Sequence, residues 1–201
     1  RKKLEKDELY TFSLILCDNE IDRDFECFSK ESLAKLKELF IGKTGISDHS
    51  MRSKDQAARI FYCYTETDET KKTSTGESYT ALKARAYALK NESSKSLIDE
   101  IDGGIKKEVS IGCAVNEIVC SICGKDMKTH SCQHIKGRKY KGKLCYGILY
   151  NNECIGVDDV VGVNCVNLRR FSTCDVSNAF NSVSVIVLKN YKGLFARTDS
   201  L

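Results

Sequence analysis

Two sets of residues in this chain have the types and spacing to do chemistry. The first centres on Ser110, in the segment Val109-Ser-Ile-Gly-Cys-Ala-Val115. That segment alternates like a strand, with Val109, Ile111, Cys113 and Val115 on one face and Ser110, Gly112 and Ala114 on the other. A serine on the face with the smallest side chains can be a plain polar residue of a sheet. It can also be a nucleophile that a second backbone approaches closely. A serine hydroxyl needs a neighbouring base to attack at neutral pH. The chain holds three histidines. His130 and His134 fall in a cysteine-rich stretch, which leaves His49 as the free imidazole. Lys106 and Lys107 are fallback bases, since serine–lysine pairs are a known variant. Cys113 is a rival nucleophile, but it falls on the apolar face and reads as core.

The second set is Cys120-Ser-Ile-Cys123-Gly followed by Cys132-Gln-His134. A Cys-x2-Cys knuckle closed by glycine aims two thiolates at one ion, and Cys132 with His134 completes a tetrahedron. The expected cofactor is a structural zinc, because four protein donors leave no open position for hydrolysis. His130 and Cys145 are alternates for the fourth donor. The same Cys120–Cys123 spacing occurs in redox proteins, but the strand-to-helix setting of that motif is missing.

The elements that must position these residues follow from periodicity. Tyr10–Cys17 reads as a buried strand. Ser29 caps a helix whose stripe is Leu33, Leu36, Leu39 and Phe40, with Gly42 at its end. Gly42 to Ser50 is a loop that delivers His49. The segments 59–65 and 79–89 alternate as strands, with Leu82, Ala84, Ala86 and Ala88 facing one way. Glu66 to Ser78 is polar and reads as an exposed loop or hairpin connection. Ser93 or Ser94 caps a short helix carrying Leu97, Ile98 and Ile101, which Gly103-Gly104 ends. Strands are expected again at 144–150, 159–166 and 182–188. The fold class is α+β: a mostly β barrel or curled sheet flanked by short helices. Residues 1–201 are expected to form a single domain, and residues 118–145 an inserted zinc-knuckle hairpin.

Composition sets limits. Of 201 residues, 41% are hydrophobic, enough for a core. The net charge of +4 is too mild to imply nucleic acid for the whole chain. The insert is different: Lys125, Lys128, Lys136, Arg138, Lys139, Lys141 and Lys143 stand against Asp126 alone. It reads as a solvated hairpin, or as an arm for nucleic acid or for an assembly partner. No apolar run is long enough to span a membrane, and no secretion signal is expected. The 11 cysteines therefore read as mostly reduced thiols of a cytosolic protein. There is no proline, so turns rely on Gly, Asn, Asp and Ser.

Four motifs occur in a telling order. Leu39-Phe-Ile-Gly-Lys-Thr-Gly-Ile-Ser-Asp-His49 comes first, then Ala58-Arg-Ile-Phe61, then Ser96-Leu-Ile-Asp-Glu-Ile-Asp-Gly-Gly104, then Glu108-Val-Ser-Ile-Gly112. From residue 10 to residue 165 the chain resembles the prohead (capsid maturation) serine proteases of tailed phages. It resembles, more distantly, the herpesvirus assembly proteases, which share the order His then Ser. The resemblance implies a serine endopeptidase with Ser110 as nucleophile and His49 as general base. An acidic residue after the serine would orient the imidazole; Asp158 is favoured over Asp48, which is too near His49 in sequence. Arg169-Arg170 would help hold the oxyanion. The chain has Asn164-Cys165 where the family commonly has a Pro-Ala step. The implied substrates and partners are phage scaffold and major capsid proteins and further copies of the chain. The implied location is the host cytoplasm and the procapsid interior, encoded by a phage or prophage. The alternative is a non-catalytic zinc-knuckle phage protein that binds nucleic acid or capsid.

Overall fold

The computed structural model describes residues 3–47, 52–107, 109–113, 115–129, 131–150 and, for their backbone, 163–165. Among these, His49 and Asp158 are not included, nor are His130, Arg169, Arg170 and the segment 182–188.

Strand β1 (Leu9–Asp18) buries Phe12, Leu14 and Leu16 at every second position. A bulge between Ile15 and Cys17 then puts Cys17 inside as well. β2 (Glu26–Phe28) follows, then helix α1 (Lys30–Phe40). The Ser29 side chain accepts from the Ser32 N–H at 3.0 Å and caps the helix as its sequence predicts. Leu33, Leu36 and Phe40 form its fully buried stripe. Gly42, at φ +81°, ends it in the left-handed region that glycine enters freely. β3 (Thr44–Ile46) leads toward the His49 loop.

β4 (Gln56–Lys72) and β5 (Ser78–Leu89) form a long antiparallel hairpin. The expected loop from Glu66 to Ser78 is in fact mostly strand, and only Thr73 to Glu77 turns. Cross-strand pairs replace burial there: Glu66 with Lys83, Thr67 with Thr80, and Lys71 over the Tyr79 ring. Helix α2 (Lys95–Asp102) stops at Gly103 and Gly104. It precedes β6 (Val109–Ile111), β7 (Glu117–Cys120), β8 (Lys139–Tyr140), β9 (Lys143–Leu144), β10 (Gly147–Tyr150) and β11 (Val163–Cys165).

The main sheet runs β1-β5-β4-β3-β11-β6, and a second sheet runs β2-β10-β7. The main sheet curls until β1 and β6 touch, yet no ladder joins them among the described residues. The fold is therefore the curled sheet and not a closed barrel. One hydrophobic cluster fills the curl. It includes Phe12 and Leu14 of β1, Leu33 and Phe40 of α1, Ile111 of β6, and Phe28, Ile118 and Leu149 of the second sheet. The second sheet thus shares the first sheet's core, and its strands β7 and β10 are the two roots of the cysteine-rich insert.

No helix among the described residues is long and apolar enough to cross a membrane.

Candidate functional site

The candidate metal-ligating set begins where β7 ends. Cys120 closes the strand, and its N–H donates to the Lys125 carbonyl at 2.9 Å. The chain doubles back through Gly124, at φ +70°, whose N–H donates to the Cys120 carbonyl. This tight turn is why glycine follows Cys123. Inside the turn the Ile122 N–H donates to Cys120 Sγ at 3.4 Å. The second half repeats the device: the His134 N–H donates to Cys132 Sγ at 3.3 Å.

The two halves converge. The donor atoms of Cys120, Cys123, Cys132 and His134 all lie within 4.8 Å of one another. Cys123 Sγ is 3.5 Å from Cys132 Sγ, and Cys132 Sγ is 3.6 Å from His134 Nδ1. A tetrahedral ion with zinc-like bond lengths sets thiolate pairs about 3.8 Å apart and a thiolate–imidazole pair about 3.6 Å apart. The donor set and its spacing therefore suit a metal ion, and these are the four ligands expected from the sequence. Cys145 is buried with its Sγ 3.9 Å from Cys120 Sγ. It stands beside the set and is not one of the four.

The electrostatics agree with a cation site. Burial pushes the Cys132 and Cys145 thiols up to about 11, and neighbouring thiols add to the rise. Burial also opposes ionisation of Cys120, but N–H groups of Ile122 and Cys123 and the adjacent thiols outweigh it, and that thiol is lowered. Thiols packed this closely cannot all ionise unaided, and a bound divalent ion removes that conflict.

His134 is held from behind. Its ring meets Tyr140 edge-on, with centroids 4.5 Å apart, and the Tyr140 hydroxyl accepts from the Ile135 N–H at 3.0 Å. The signal for Tyr140's support of His134 was the glycine turn at Gly137 between them, which folds the segment back on itself. Gly137 sits at φ +82°, and a Cβ there would stand 2.7 Å from the Phe25 ring. Lys136 pairs with buried Glu26, a second tie from insert to body.

Ser110 lies in β6 between the buried Val109 and Ile111. Its Oγ is buried and has no hydrogen-bond partner among the described residues. A buried hydroxyl left unpaired carries a desolvation cost, so it calls for a reason. The fallback bases do not provide one. Lys106 is engaged by Glu100 at 2.8 Å, and that contact, helped by Ser96, lowers the Glu100 carboxyl. The Lys107 side chain folds over Gly104. Cys113 is buried in the core cluster, as its face of the strand predicts.

The backbone around Ser110 is informative. Asn164 of β11 stands opposite Ser110 on one side, in antiparallel register, and opposite Ile46 of β3 on the other, in parallel register. Ile46 is therefore two strands, about 10 Å, from Ser110. His49 follows Ile46 by three positions, a reach of about 10 Å for an extended chain. Ser110 and Ile46 thus belong to strands two places apart in one sheet; His49 and Asp158 themselves lie outside the described residues.

Compared with protein-family models, with curated proteins and with solved structures, the chain matches none.

Proposed function

We propose that this chain is a serine endopeptidase of the prohead-maturation kind, with Ser110 as nucleophile, His49 as general base and Asp158 as the residue that orients His49. The observation that carries this reading is the β3–β11–β6 ladder. It puts the strand that precedes His49 two places from a serine whose Oγ is buried and has no partner among the described residues. In the reaction, His49 takes the Ser110 proton as Oγ attacks the scissile carbonyl carbon. The imidazolium returns that proton to the leaving amine as the C–N bond breaks, leaving an acyl-enzyme. Water, deprotonated by His49, attacks the ester and releases the acid and free Ser110. Scaffold and major capsid proteins are the substrates, together with other copies of the chain.

The ion of the Cys120–Cys123–Cys132–His134 set is zinc in a structural role. All four positions are filled by protein, and the polar insert has little apolar surface of its own to fold around.

The test is co-expression of the full chain with its scaffold and capsid partners, because such peptidases act on concentrated substrate. Ser110→Ala and His49→Ala should each abolish cleavage and leave metal content unchanged. Cleavage that survives Ser110→Ala overturns the assignment and leaves a zinc-knuckle binding protein as the better account.

A further inference from the structure

The insert's charge is not spread evenly. Four of its cations, Arg138, Lys139, Lys141 and Lys143, occupy six consecutive positions of one hairpin. All four are exposed, and none has an ion-pair partner among the described residues. Of the other three insert lysines, Lys125 is exposed in the Cys120–Gly124 turn region and two are already used. Lys136 pairs with Glu26, and Lys128 Nζ donates to the carbonyls of Val115 and Asn116. The insert carries seven basic residues against one acidic, whereas the whole chain is only +4. The rest of the chain is therefore net acidic, and a polyanion would be drawn to the hairpin and repelled elsewhere.

The hairpin's shape is set by its turn and its base. Lys141 and Gly142 both have positive φ, 49° and 81°, the geometry of a tight two-residue turn. At its base the Cys145 N–H donates to the Arg138 carbonyl and the Gly137 N–H donates to the Cys145 carbonyl, both at 2.8 Å. The metal-ligating His134 packs on Tyr140, within the hairpin itself.

We propose that this hairpin, residues 138–143, binds the phosphate backbone of a nucleic-acid duplex without regard to sequence. Lysine and arginine on a fixed ribbon suit evenly spaced phosphates. Single strands are bound chiefly through free aromatic platforms. The one aromatic here, Tyr140, has its ring against His134 and its hydroxyl on the Ile135 N–H. A protein partner would need apolar anchors, and the exposed large apolar residue of the insert is Ile135, outside the hairpin. The proposal is independent of the peptidase reading, so Ser110→Ala should bind as the wild type does.

The experiment measures anisotropy of a labelled 20-base-pair duplex of random sequence with the metal-loaded full chain. Four phosphate contacts predict that affinity falls by about 10²-fold between 50 and 200 mM salt. A quadruple Gln variant at Arg138, Lys139, Lys141 and Lys143 should lose nearly all of that salt dependence. Lys141→Gln with Lys143→Gln should lose about half, and Lys90→Gln with Lys95→Gln should lose none. Metal content is measured on every variant. Three results would overturn the proposal: no duplex binding at 50 mM salt by metal-loaded protein, wild-type binding by the quadruple variant, or tighter binding to polyglutamate or anionic vesicles than to the duplex.

Discussion

The metal knuckle and the serine strand sit on one hydrophobic core, yet they are assembled in opposite ways. The four candidate donors span residues 120 to 134, and the turns that aim them are local: Gly124 for the first pair, the Cys132–His134 backbone contact for the second. Ser110 and Ile46, the end of the strand that precedes His49, are far apart in sequence. They approach through the order of strands in a sheet, β3 beside β11 beside β6. A local site needs an ion to hold it, because few residues contribute apolar burial. A site built from a sheet is held by the core and can tolerate an unsatisfied group. Ser110 Oγ, which has no hydrogen-bond partner among the described residues, is such a group.

This contrast predicts that Ser110→Ala separates activity from stability. Removing a nucleophile costs about 10⁶-fold in rate in a serine peptidase of known mechanism. The same substitution deletes a buried hydroxyl with no hydrogen-bond partner among the described residues, so stability should hold or rise. Cleavage assays and thermal denaturation measured on one preparation check both. A loss of stability with cleavage intact would mean that Ser110 is an ordinary structural serine.

The second prediction breaks the other region. Chelation, or Cys123→Ser, should release one zinc and unfold the insert. Structural zinc contributes roughly 10 kcal/mol or more in small zinc domains. Amide exchange in β8 and β9 should become fast while β1, β4 and β5 stay protected. Cobalt in place of zinc should give the spectrum of a tetrahedral three-sulfur, one-nitrogen site. Protein isolated without chelator and free of metal would sink the zinc assignment.

The same contrast explains what could be read from the sequence. The convergence of Cys120, Cys123, Cys132 and His134 was legible to the residue, because Cys-x2-Cys with a following glycine fixes its own geometry. The Ser29 cap, the Leu33–Leu36–Phe40 stripe and the alternation of Ala84, Ala86 and Ala88 were equally local, and each appears where its pattern put it. The length of β4 was not legible. Glu66 to Lys72 is polar, and what makes it a strand is pairing with β5, as between Thr67 and Thr80. The neighbours of Ser110 were hidden for the same reason. That Asn164 would lie between Ser110 and Ile46 depends on strand order, which no window of sequence contains.

The joint between the two regions offers a sharper test. Gly137→Ala adds a Cβ at φ +82° and 2.7 Å from the Phe25 ring. Strain of this kind costs of order 1–3 kcal/mol. Because the four donors lie outside the joint, zinc stoichiometry should stay at one while thermal stability falls. Loss of zinc from this variant would mean that the knuckle depends on its docking to the body and is less local than its ligand spacing implies.

The smallest effect belongs to Ser32. Its Oγ donates to the Leu149 carbonyl at 2.8 Å, a buried link from α1 to β10, the strand that roots the insert. The same carbonyl also accepts from the Ser29 N–H at 3.2 Å. Ser32→Ala removes the hydrogen bond to Leu149 without stranding that acceptor, and loss of that bond should cost about 1 kcal/mol in urea denaturation. Zinc release on chelation should keep its wild-type rate, since no knuckle donor moves. If that rate rises instead, the link through Leu149 transmits strain from helix to knuckle, and the two regions are coupled through β10.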